Sequence, residues 1–171
     1  INFSGFMDAL KSYLVIKTGT SLLTGVLVSV WLTILNVEFA LLWGSIAFFL
    51  NFVPIIGSLI AAIPVVVLAL LDVGLASASL IAAGYLVINV IVGNLLEPRF
   101  MGRGLNLSTL VVFLSLVFWG WVFGPVGMFL SVPLTMLVKI AFEYSPQSRW
   151  LAVLLSADVP QPEDDGVRPN H

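Results

Sequence analysis

From position 39 to position 71 the chain carries no charged residue, and this run of thirty-three is what most restricts the fold. As a single helix it would be about 50 Å long at 1.5 Å per residue, against about 30 Å of bilayer hydrocarbon. One crossing is too short for it, and two crossings with a turn want about forty residues or more. A break at Asn51-Phe52-Val53-Pro54-Ile55-Ile56-Gly57, followed by a short apolar run closed at Pro64, resolves the mismatch. It predicts a hairpin of two short arms hinged between Pro54 and Gly57, because Pro and Gly interrupt a membrane helix wherever the freed backbone groups find other partners. A looser copy follows in a second uncharged run, residues 104 to 138, where Phe123-Gly124-Pro125-Val126-Gly127 leads through another apolar stretch to Pro133.

The rest of the composition agrees with a bilayer. With 60% hydrophobic and 9% charged residues and a mean hydropathy of +1.11, there is too little polar side chain to cover a soluble globule of this size. The expected fold is all-α: a polytopic helical membrane protein with two Pro/Gly-broken hairpins, each of which can cross the membrane or dip and return. If both dip, they enter from opposite faces and are related as inverted repeats, the arrangement that builds alternating-access sites in transporters. A net charge of −2 and seven scattered basic residues offer no patch for nucleic acid. The absence of Cys and the position of the one His at 171 leave no thiolate or imidazole for catalysis or metal binding, so no catalytic residue, metal or cofactor is assigned.

In chain order, residues 1–18 read as an amphipathic helix, with Phe3, Phe6, Met7, Leu10, Tyr13 and Leu14 at helical spacing. This helix can lie on the membrane surface or form the end of a longer one. Residues 19–144 read as the transmembrane domain, and 145–171 as a cytoplasmic tail that is disordered after 159, where Pro and acidic residues accumulate. A first span, Thr20 to Asn36, carries Ser21, Gly25, Ser29 and Thr33 four apart as a packing stripe; a later span, Val73 to Gly93, carries Gly74, Ala78 and Ala82. Asn94 to Asn106 reads as a polar loop, and no ionisable residue falls inside a span. Lys11, Lys17, Arg99, Arg103, Lys139 and Arg149 share one set of loops, which the positive-inside rule places in the cytoplasm. The start at Ile1 without Met or signal layout reads as a piece of a longer protein.

Asn51 to Pro64, the loop Leu96-Glu97-Pro98-Arg99-Phe100-Met101-Gly102, and Gly124 to Pro133 together resemble the AI-2E family of bacterial transporters, the autoinducer-2 exporter family. The resemblance runs from Tyr13 to Lys139 and implies the C-terminal half of a protein about twice as long. It implies a bacterial inner-membrane location, membrane lipid and further copies of the same chain as partners (a homo-oligomer), and export of a small solute such as an autoinducer-2-like signal. Exchange of sodium or lithium for protons is the alternative within the family, making a monovalent cation the other candidate solute; a passive oligomeric pore or scaffold is the alternative outside it. The family pattern falls on Asn51, Pro54, Gly57, Pro64, Glu97, Pro98, Gly102, Gly127 and Pro133, and with Pro125 these form the expected transport path. For Glu97 two roles stay open: lining that path, or fixing the loop by pairing with Arg99 or Arg103.

Overall fold

The computed structural model describes residues 3–54, 56–101 and 107–143. All elements among these residues are helical and none is a strand, as expected where each backbone polar group must be satisfied without water. The first helix, α1 (Phe3–Ile34), is continuous, so the amphipathic stretch and the first span are one rod. Asn36 closes it in the left-handed region at φ 54°, a conformation Asn tolerates because its short side chain bonds locally.

The chain then folds back as α2 (Ala40–Leu50), breaks over residues 51–56, and continues as α3 (Gly57–Asp72). At 1.5 Å per residue α2 is only about 16 Å long, half a bilayer. Its contact with α1 is close because Gly25 and Gly44 face each other: a Cβ on Gly25 would lie 2.8 Å from the Gly44 carbonyl oxygen. The small-residue stripe of α1 is thus the packing face expected of it. Gly74, at φ 97°, turns the chain from α3 into α4 (Leu75–Asn89). Of the second stripe Ala78 is buried in the core, while Ala82 is exposed. Gly74 has open space where a Cβ would be, and Gly84 instead is covered by the Trp31 indole, whose Nε1 donates to the Leu80 carbonyl at 3.3 Å. An indole needs a polar partner as well as an empty place, and the turn at Gly84 offers both.

Helix α4 does not end in a loop at Asn94. It widens into a π-helical segment, Val90–Leu96, and continues as α5 (Glu97–Met101), giving an apolar helical span Leu75–Met101. Pro98 accounts for the widening, since it lacks an N–H and its ring excludes the carbonyl four residues back, and one wider turn absorbs that clash without a break.

The second hairpin is α6 (Thr109–Phe123) and α7 (Pro125–Glu143), turned by Gly124 at φ 66° with Pro125 at the first helical position, where its missing N–H costs nothing. Both hairpins use the same device one turn beyond the break. A Cβ on Gly57 would fall on the Leu50 carbonyl oxygen and one on Gly127 on the Trp119 carbonyl oxygen. Ala at either position is expected to destabilise the protein by about 1–3 kcal/mol or more, since backbone must move. Gly93→Ala, which meets only Asn89 Oδ1 at 3.4 Å, is expected to leave the thermal midpoint in detergent within a few degrees of the parent, and the three midpoints measured together check the contrast.

Two cores hold the assembly. Val28 and Leu32 of α1, Ala47 of α2, Ala61, Val65 and Ala69 of α3, and Ala78, Ile81 and Tyr85 of α4 form the first. Tyr13 of α1 with Val132 and Met136 of α7, flanked by Met7, Leu10, Met101, Leu107 and Ile140, forms the second. Large apolar side chains elsewhere point outward, Trp121 at 86% exposure and Leu41 at 78% among them, a surface that water would penalise and lipid would not.

Candidate functional site

One face of α1 is polar in a protein that is apolar almost everywhere else. Tyr13, Lys17, Thr20, Ser21 and Thr24 recur at helical spacing and all are buried. Facing them, Asn89, Gly93 and Glu97 recur four apart along α4, the π-helical segment and the start of α5, with the Tyr85 side chain one turn further into the core. Lys17 Nζ donates to Glu97 Oε1 at 2.7 Å, the two side chains being 7% and 15% exposed. Thr20 Oγ1 lies 3.0 Å from the same oxygen and 3.2 Å from the Lys17 carbonyl. This corrects two expectations. Glu97 pairs across eighty positions of sequence with Lys17 and not with its neighbour Arg99, which is exposed; Arg103 lies outside the described residues. Lys17 is no loop residue but part of the apolar span Leu10–Ile34, as Glu97 is part of Leu75–Met101, near its end, so the spans do hold ionisable groups.

The pair opens onto a cavity of about 480 Å³. Besides Lys17 and Glu97 its wall carries the side chains of Tyr13, Asn51, Asn89 and Asn94, with Pro54 and Ser58 from the first hairpin and Thr109, Val112 and Val132 from the second. Asn51 is fixed at the start of the first break by a bond from Nδ2 to Ser21 Oγ at 3.0 Å, close to the midpoint of the span Leu10–Ile34. Phe52, beside it, stacks on Phe129 of α7 with centroids 5.8 Å apart. The first break and the first turn of the second return helix therefore meet beside the cavity.

Of the residues named from sequence, Asn51, Pro54 and Glu97 line this cavity. Gly57, Gly127 and Pro133 are buried, and Pro64, Pro98 and Pro125 are exposed; their places are those of turn and packing residues beside it. Gly102 falls outside the described residues. Tyr13, Lys17, Ser58, Asn89, Asn94 and Thr109 were not singled out, although two signals pointed to several of them. Polar residues at 13, 17, 20, 21 and 24 share a helix face, and Asn89, Gly93 and Glu97 align once the helix is allowed to run through Pro98. Among the described residues no three Asp, Glu, His or Cys come close enough to hold a metal.

An all-helical multi-pass membrane protein, with a charged polar cavity between two broken hairpins, is the class that this fold and site define. The chain belongs to the AI-2E family of transporters, matching the family description over residues 3–147. It is 56% identical over 150 residues, 88% of its length, to the AI-2 transport protein TqsA of Escherichia coli K12, of which it covers 44%. It is 48% identical over 164 residues, 94% of its length, to the putative transport protein YhhT of the same organism, covering 47%. A putative transport protein of Haemophilus influenzae is 56% identical over 149 residues, with 43% of it covered. The chain thus spans less than half the length of these relatives.

Proposed function

We propose that the cavity at the Lys17–Glu97 pair is the solute site of a bacterial inner-membrane exporter, and that its solute is a small polar molecule such as an autoinducer-2-like signal. The observation that carries this reading is the placement of a paired charge, three Asn residues and the first helix break on one cavity between the spans. Charged and amide groups at that depth are costly unless they face protein or a solute path, and broken helices with binding groups near the midplane are the layout of secondary transporters. The transport role in the name of the E. coli relative TqsA supports the same reading. In this reading Asn51 and Glu97 contact solute, while Pro54, Gly57, Pro64, Pro98, Gly102, Pro125, Gly127 and Pro133 shape the path. The two hairpins dip from opposite faces, the span end that bears Arg99 is cytoplasmic, and the protein is a homo-oligomer.

A second reading, sodium or lithium exchange for protons, draws its support from the same ion pair, because a largely buried carboxylate held between two spans is a place where a cation and a proton can compete. The test uses the full-length protein in proteoliposomes. Export predicts uptake of autoinducer-2 into inverted vesicles, reduced about tenfold or more by Glu97→Gln as the loss of a charged contact of about 1.5–3 kcal/mol implies. Uptake no faster than in empty liposomes overturns it. Alkalinisation of an acidified lumen on adding lithium, abolished by the same variant, would establish exchange instead.

A further inference from the structure

The wall of the cavity carries one positive and one negative group, and they face the same space. Uncharged donors and acceptors would suffice for a neutral, hydroxylated solute, and holding two largely buried ions between the spans is expensive in comparison. Their charges sum to zero, so a solute with a net charge would leave the site unbalanced in a medium of low dielectric. A solute that itself carries one charge of each sign would not. We infer that this cavity also binds a small zwitterion of the α-amino-acid type, its carboxylate on Lys17 and its ammonium on Glu97. The inference rests on the reading of this cavity as a solute site.

The geometry provides the free valences. Lys17 has three N–H donors, one of which is directed at Glu97 Oε1 at 2.7 Å. Both bonds to Glu97, from Lys17 and from Thr20, end on Oε1, which leaves Oε2 for an incoming ammonium. The four-carbon stem of Lys17 lets its ammonium swing from carboxylate to carboxylate without moving the helix. Asn89 and Asn94, on the same wall, can donate to the solute carboxylate or accept from its ammonium. In the empty site the two groups satisfy each other and tie α1 to α5. In the filled site each has a solute partner of the same sign as the one it left, so no bare charge is created on binding or release.

Binding of radiolabelled L-alanine to the purified full-length protein, measured by equilibrium dialysis, tests this. Acetate and methylammonium, each carrying one of the two charges, serve as competitors. Saturable alanine binding is expected, with each competitor at least tenfold weaker than unlabelled alanine. The double variant Lys17→Met/Glu97→Gln, which leaves no unpaired ion to unfold it, should bind alanine at least tenfold more weakly. Swapping the pair by Lys17→Glu/Glu97→Lys should recover part of the binding. Acetate or methylammonium competing as well as alanine, alanine binding unchanged in the double variant, or no saturable alanine binding overturns the inference. If autoinducer-2 uptake persists while alanine does not bind, the zwitterion alone is refuted; if both are absent, the solute site falls with it.

Discussion

Lys17→Met is expected to lower the stability of the protein by about 3–5 kcal/mol, the usual cost of removing one partner of a buried ion pair. Glu97, 15% exposed, would keep the Thr20 hydroxyl at 3.0 Å as its side-chain partner among the described residues, and its charge would lose its counterion. Glu97→Gln strands the Lys17 ammonium in the same way and should cost about as much. The double variant Lys17→Met/Glu97→Gln removes both charges and should return most of the lost stability, since a neutral, well-packed pair often equals or exceeds a buried ionic one. Transport should not return with it. Thermal or denaturant unfolding of the three variants in one detergent, with solute flux beside it, separates the two roles. Single variants as stable as the parent would show that the pair is not buried, and a double variant that transports at the parental rate would show that it serves only to hold α1 against α5.

The architecture was largely legible because membrane physics leaves few choices. An uncharged run too long for one crossing and too short for two announced both hairpins, and the breaks lie where Asn51 to Gly57 and Gly124 to Gly127 put them. The end of the fourth helix was misplaced because Asn, Pro and charged residues after position 94 read as loop. A π-helical turn is a cooperative answer to a proline, and nothing local in Val90 to Leu96 announces it. The site was half legible. Asn51, Pro54 and Glu97 stood out through the broken motif and the one carboxylate near a span end. Lys17 did not, because a lysine directly before a polar Thr-Gly-Thr reads as a span boundary. Its burial depends on a partner eighty positions away, and charge pairing at that separation is a product of the fold that a single sequence does not display.

Ile56→Cys should be modified by a small membrane-impermeant thiol reagent from the outer face, and Val126→Cys from the cytoplasm. The native chain has no Cys to compete. The expectation follows from the level at which the hairpin ends sit. Asn51 is bonded to Ser21, near the middle of the span Leu10–Ile34, so α2, about 16 Å long, runs from the Ile34 end of α1 only as far as the middle of that span. The second hairpin packs through Val132 and Met136 against Tyr13, with Leu107 and Ile140 alongside Met7 and Leu10, and so rises from the opposite end of α1. Phe52 and Phe129, stacked 24° apart in plane, mark where the two meet. In the orientation proposed above, with basic residues in the cytoplasm, the first hairpin would be the floor of an outer vestibule and the second that of an inner one. Labelling with the reverse preference, position 56 from the cytoplasm and position 126 from outside, would mean that both hairpins cross. In that case the stacked aromatics could not separate two vestibules, and the solute path would have to be sought away from Asn51 and Glu97.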